Sequence, residues 1–266
     1  MKTENSYEQK CILQLKVGQS DGGSFIRDMY FTAPFKIMKP FVQENHLKAI
    51  LLYVSAGILR GDAQEVEIDL EENAHFELTT QSYEKIYAMP YGKATRKGCI
   101  RIGSGARFYY HPLPVLPFAR AKFQQNWQVH LADEHSHFLF AEILSCGRAA
   151  RGERFCYREY RSLLEVYCGR NLIYEDNACY NPDEMDLDDV LAYEGYTHLL
   201  NFVWLGSDAI SPEEARRITG GMPDILAGAS RVTGGTCVKA LADGSEPLLT
   251  LEKVLSGKFF MAVKRT

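Results

Sequence analysis

The chain has 266 residues, 46% of them hydrophobic and 24% charged, with a formal net charge of −4. Such a chain can bury a sizeable core and is excluded from the disordered class, and its slight acidity leaves no basic footprint for nucleic acid. Seven cysteines without a CxxC pair argue for reduced thiols and a cytoplasmic protein. The leading MKTENSYEQK lacks the apolar core of a signal peptide, and no run approaches the roughly 18 apolar residues of a membrane span.

Taken in order, Cys11 to Val17 alternates as a strand, and Asp21-Gly22-Gly23 turns it into a second strand from Ser24 to Tyr30. Pro34 and Pro40 force an extended path, and the four rings of Tyr30, Phe31, Phe35 and Phe41 are expected to pack under the central strands. An apolar run from Ala49 to Val54 leads into a glycine-flanked turn, Gly57 to Gly61, that ends in Gly61-Asp62. After it Val66, Ile68 and Leu70 alternate with Glu65, Glu67 and Asp69, the period of a strand with one buried face. Glu71-Glu72-Asn73 makes a turn, and a second strand starts at Phe76 and runs on through Thr80 and Gln81 towards Lys85.

Short β-type runs recur from Arg96 to His111 and from Lys122 to Leu131, with turn signals between them. Pro112, Pro114 and Pro117 predict a rigid connector, an edge or a partner-docking strip, since prolines at this density do not suit a central strand. His137 to Ser145 is apolar on both faces around a single acid, Glu142, which requires a cation, a hydrogen-bond donor or water if buried. Strand resumes from Phe155 to Cys168, with Arg158 and Arg161 facing outward. Glu175 to Glu194 is strongly acidic and reads as a solvated loop, a contact for a basic partner or a weak cation-binding stretch. Another strand spans Tyr196 to Leu205. Ser211-Pro212-Glu213-Glu214 caps a helix that reaches about Thr219, and a strand plus a short helix from Ser245 occupy the tail. Strands at this spacing, with about two short helices, predict a mainly β fold of layered or helically wound sheets forming one domain over residues 1–266.

Signatures of nucleophilic or nucleotide chemistry are missing from the sequence: it has no GxSxG, HExxH or GxxxxGK[ST] pattern. His135 and His137 are spaced to share one ion on a strand, but no third ligand is set by spacing. Asp62, at a glycine turn, and Glu142, in an apolar strand, are the oxygen donors best suited to hold a divalent ion transiently. Each also has a purely structural reading, Asp62 as an Asx turn and Glu142 as the partner of Arg148 or Arg151.

Several segments together carry a family resemblance. SAGILRGDAQEVEIDL followed by LTTQSYEKIY resembles the hallmark region of the UreD/UreH urease accessory proteins, at Gly57, Gly61, Asp62, Thr80, Gln81 and Lys85. GRAARGE resembles a second motif of that family at Gly147, Arg148, Arg151 and Glu153, and the segments from Tyr30 to Lys36 and KALADGSEPLL extend the likeness over most of the chain. The tail is most similar to the UreH branch of Helicobacter-like bacteria.

This resemblance implies a non-enzymatic member of a metallochaperone complex for urease maturation. A UreF-like protein binds it and brings a UreG-like GTPase, so GTP enters only with that partner; the assembly, a dimer of heteromers, docks on urease apoprotein. It also implies an internal tunnel for Ni²⁺, with no tightly bound cofactor, in which Asp62 and Glu142 lie near the path and Arg148, Arg151 and Glu153 hold its wall or an interface. Two other classes fit the bare residues: a β-solenoid polysaccharide hydrolase with Asp62 and Glu142 as paired acids, and a protein-joining scaffold that never touches metal.

Overall fold

The computed structural model describes residues 10–261; the leading MKTENSYEQ, on which the reading of a missing signal peptide rests, lies outside the described residues. Strands β1 (Lys10–Ser20) and β2 (Gly23–Phe31) form the expected hairpin, and the short β3 (Phe35–Ile37) and β4 (Phe41–Gln43) lie antiparallel on β5 (His46–Tyr53). From there the chain winds. β6 (Ala63–Leu70) lies in one sheet, and β7 (His75–Thr80) and β8 (Glu84–Ile86) lie in the other. β9 (Ala94–Ile102) returns to the first sheet, β10 (Arg107–His111) and β11 (Val115–Pro117) to the second, and β12 (Lys122–Leu131) and β13 (His137–Ser145) repeat the circuit. β14 (Glu159–Cys168) completes the parallel winding and β15 (Asn171–Tyr180) folds back on it antiparallel. The second sheet is extended by β16 (His198–Leu205), helix α1 (Pro212–Thr219), β17 (Ile225–Val232) and β18 (Gly235–Ala242), and helix α2 (Ser245–Ser256) follows.

The first sheet therefore runs β15-β14-β12-β9-β6-β1-β2 and the second β17-β18-β16-β13-β10-β7-β5-β3. β6 and β7 pair with other strands rather than with each other, because the turn after Leu70 carries the chain across to the facing sheet. A mainly β, helically wound architecture with two helices is what the sequence predicts.

The inward residues of the first sheet follow period two, for example Val66, Ile68 and Leu70 on β6, and they meet Phe76, Phe108, Phe138 and Phe140 of the second sheet in a continuous core. Gly98 on β9 is fixed by this packing, since a Cβ there would lie 1.9 Å from the ring of its neighbour Trp127. β13 is buried along its whole length because its far face is covered too: Leu139, Ala141 and Ile143 pack with Leu248, Leu251 and Leu255 of α2 and with Phe259. Ser211 caps α1 by accepting the Glu214 amide at 3.1 Å.

Four expectations are corrected. Of the four rings near Pro34, Phe35 is core and Phe31 packs against it, but Tyr30 and Phe41 are 53% and 46% exposed. The proline-rich segment carries β11, which pairs with both β8 and β13; a strand only three residues long demands few amide donors and tolerates Pro117 at its end. The strand expected from Phe155 begins at Glu159, where pairing with β12 starts, and Arg158 is only half-exposed, donating to the carbonyl of Met89 at 3.0 Å. The acidic run expected as loop from Glu175 is strand up to Tyr180, with Tyr174 buried and holding β15 on the core.

Candidate functional site

In a parallel winding, residues at one register position on successive circuits stack into a row across the sheet. One such row in the first sheet is polar although it points inward: Gln64 on β6 is in register with Arg96 on β9, Arg96 with Gln125 on β12, and Gln125 with Ser162 on β14. A second row faces it from the other sheet, where Glu142 on β13 is in register with Asn201 on β16, and Asn201 with Lys239 on β18. Glu84 and Tyr53 complete one end and Asp176 the other. Gln64, Glu84, Arg96, Gln125 and Glu142 are all at least 93% buried.

The groups are linked in series. Arg96 donates to Gln64 Oε1 through Nε at 2.8 Å and to Glu84 Oε2 through Nη1 at 3.0 Å, with a second, short contact from Nη2 to Glu84 Oε1. Its Nη2 also reaches the Tyr53 hydroxyl at 3.0 Å. A fully buried guanidinium is tolerable only with this fork-to-fork carboxylate and its extra acceptors. Gln125 bridges onward, accepting from Trp127 Nε1 at 3.2 Å and donating to Glu142 Oε1 at 2.5 Å. Asn201 donates to Asp176 at 2.5 Å, and Lys239, 45% exposed, pairs with Asp176 at 2.7 Å, so this end of the layer reaches solvent.

Glu142 forms no ion pair among the described residues. Burial pushes its carboxyl up, hydrogen bonds from Gln125 and Tyr160 offset part of that, and it titrates at about 7. Two buried polar atoms of the layer, Gln64 Nε2 and Asn201 Oδ1, have no hydrogen-bond partner among the described residues. The first is an N–H donor and the second a carbonyl acceptor, and buried atoms of either kind call for ordered water with which to bond.

The sequence-predicted residues occupy different places. Asp62 sits on the turn two residues before Gln64, where its carboxylate accepts the Leu59 amide at 2.8 Å; burial raises its pKa, partly offset by that bond. The two stand on different elements: Asp62 precedes a strand of the first sheet and Glu142 lies mid-strand in the second. Gly57 and Gly61 have φ of 155° and 86°, and a Cβ on Gly57 would stand 2.4 Å from the Lys85 carbonyl, which accepts the Ile58 amide. Thr80 Oγ1 accepts the Leu113 amide at 2.8 Å, the exposed Gln81 donates its amide to Leu51, and Lys85 points to solvent.

In the second motif Gly147 has φ 123°, and Arg148 clasps Glu153 through both of its carboxylate oxygens while lying 4.0 Å over the Phe118 ring. Glu153 also accepts the Ala119 amide at 3.1 Å, and Arg151 is exposed. Neither arginine pairs with Glu142, the partner suggested for them by sequence. His135 is exposed while His137 is buried at 2.8 Å from Asp208, so they do not converge. Among the described residues no set of three or more His, Cys, Asp or Glu groups is arranged to hold a metal, and the seven cysteines are unbridged.

Sequence reasoning missed Arg96, Glu84, Gln125 and Asp176. It also missed a second buried cluster, on the face of the second sheet that carries α2. There Glu77 takes His46 Nε2 at 2.6 Å, Lys48 at 2.5 Å and His111 Nε2 at 2.9 Å, and His111 Nδ1 lies 3.0 Å from Glu252 of α2. Both ring nitrogens of His111 face carboxylate oxygens, which accept only, so the ring is an imidazolium bridging sheet and helix.

Fold and interior together define a helically wound two-sheet β protein that strings ionisable groups through its centre. The family model described as UreD urease accessory protein matches residues 9–255, and the chain belongs to that family. It is 36% identical over 261 residues to the urease accessory protein UreH of Helicobacter pylori strain G27, covering 95% of this chain and 96% of that one. It is 34% identical over 259 residues to UreD of Acetivibrio thermocellus, with 95% and 98% covered, and 33% identical over 254 residues to UreH of Helicobacter hepaticus, with 95% and 99% covered. No helix among the described residues is long and apolar enough to cross a membrane.

Proposed function

We propose that this chain is a non-catalytic accessory protein of urease maturation, and that the polar layer between its sheets passes Ni²⁺ toward urease apoprotein. A UreF-like protein binds it in the cytoplasm and couples it to a UreG-like GTPase, in an assembly that pairs two such heteromers. The observation that carries this reading is the row from Gln64 to Glu142 and on to Asp176, with unpartnered polar atoms on either side of its centre. Carboxylate and amide carbonyl oxygens, here Glu142, Asp176 and the unpartnered Asn201 Oδ1, bind a dication without the closed cage that a thiolate set would form. Glu142 is the central stepping point; a dication arriving there takes the place of the proton, so transit is coupled to proton release. The Arg96–Glu84 pair is neutral as a unit and walls the layer, with Asp62 serving the end beyond it. Arg148 and Glu153 brace the turn beside Phe118, leaving Arg151 at the surface for a partner.

The test is co-expression of urease and its other accessory proteins with Asp62→Ala and Glu142→Ala variants that still fold and still bind the UreF-like protein. Reduced nickel content and activity of the urease formed is the expected result. Normal activation by both variants sinks the path, and urease that matures equally well without this gene sinks the accessory role.

A further inference from the structure

Beside the Asp176–Lys239 pair the two sheets part, and cavities line up along one strand. A cavity of about 800 Å³ lies against Tyr174, Asp176 and Lys239; a neighbour of about 600 Å³ shares Ile173 and Val232 with it, and a third, of about 320 Å³, sits between Tyr180, Leu226 and Leu241. Each is lined in part by β15, the end strand of the first sheet, which contributes most to the one beside Asp176. Its amides and carbonyls directed away from β14 have no backbone partner among the described residues.

The charge pattern on the outer face is equally one-sided. Glu175 stands directly across from Glu165 in the β14–β15 register. Like charges so placed repel. Gln128 and Tyr167 both donate to Glu165, at 3.1 and 3.0 Å, while Glu175 forms no ion pair among the described residues. Two of the other end strands differ: on β2 Arg27 is paired with Glu71, and on β17 the Ala229 carbonyl accepts from Arg216 of α1 at 2.7 Å.

We propose that β15 is the docking edge for an extended strand of a partner protein, which joins the first sheet as its next strand and closes the groove over Asp176 and Lys239. The fit specifies the strand: apolar side chains alternate inward over Ile173, Leu226 and Leu241, and a Lys or Arg faces outward beside Glu175. Main-chain hydrogen bonds hold the strand, and the outward cation relieves the Glu165–Glu175 repulsion. The proposal rests on the accessory-protein reading for its partner and deepens it, since the occupant would seal the solvent-facing end of the polar layer.

The experiment measures hydrogen–deuterium exchange and affinity for the full chain with the UreF-like protein and, in a second arm, with urease apoprotein. In one of the two complexes the outward amides of β15 slow by at least ten-fold, and Glu175→Lys, an exposed change that leaves the fold intact, weakens that complex by about ten-fold or more. A complex that forms with its protection elsewhere and is indifferent to Glu175→Lys overturns the docking edge while leaving the accessory reading standing. Failure to bind either protein overturns both.

Discussion

Glu142→Gln should make the protein more stable, and only on the alkaline side. Glu142 is a carboxyl moved from an ordinary 4.5 to about 7, chiefly by burial. At about 1.4 kcal/mol per pH unit, ionising it inside the fold costs about 3 kcal/mol relative to the unfolded chain. The sign follows from the raised value: the stability associated with the neutral acid is complete below about pH 4.5, declines as pH rises towards 7, and is absent above that. Glutamine keeps the shape, accepts from Gln125 as the acid does, and never ionises. Urea denaturation at pH 5 should therefore give nearly equal stabilities for the two proteins, and at pH 8.5 the variant should lead by up to about 3 kcal/mol. A difference independent of pH would refute the reasoning, since it would mean that the carboxylate is already compensated within the layer.

Replacing Arg96 by Leu leaves Glu84 buried without its partner, and should cost about 3–5 kcal/mol by denaturant titration, much of it recovered in the Arg96→Leu, Glu84→Leu double variant. Gly98→Ala drives a methyl into Trp127 and should destabilise by roughly 1–3 kcal/mol, with a shifted tryptophan emission as the second readout. His111→Phe should abolish one segment of the pH dependence. Burial opposes the charge on His111, but the hydrogen bonds it donates to Glu252 and Glu77 outweigh it and its pKa is raised, so its contribution is complete below about pH 6.5 and is lost as pH rises through the folded value. Exchange at the α2 amides, slow at pH 6 and faster at pH 9 after correction for intrinsic rates, should lose that difference in the variant.

Alternation located β6, because it buries one face and period two is undisturbed there, while β-type runs between turn signals marked the region of β9 and β12. It did not show that β6 and β7 belong to different sheets, since the turn between them reads equally well as a hairpin. β17, ILAGASRV, went unread: its glycine, alanines and serine have weak strand preference, and the pairing with β18 supplies what propensity does not. Tyr30 and Phe41 misled for the opposite reason, as rings in a sequence carry no mark of which side of an edge they occupy.

Of the site, Glu142 was legible as an acid in an apolar strand, whereas Arg96 looked like one more charged residue of an alternating run. A signal did exist. Gln64, Arg96, Gln125 and Ser162 each begin or interrupt an otherwise apolar inward series, as in Gln64, Val66, Ile68 and Leu70 or Phe123, Gln125, Trp127 and Val129. Recognising it requires the strands to be stacked in parallel first, and that stacking is a tertiary fact. Glu84 and Asp176 could not be found this way, the first lying in a three-residue strand and the second on a strand that runs in the opposite sense.

The winding has one further effect. Adjacent strands are about 4.8 Å apart, so the three steps from Gln64 through Arg96 and Gln125 to Ser162 traverse about 14 Å of the interior, on four strands that each have a neighbour on both sides. Inserting a single residue ahead of any one of these positions would rotate that side chain to the outside and break the procession at that circuit. The continuity of this inward polar row is thus vulnerable to length changes far smaller than those needed to unfold the protein.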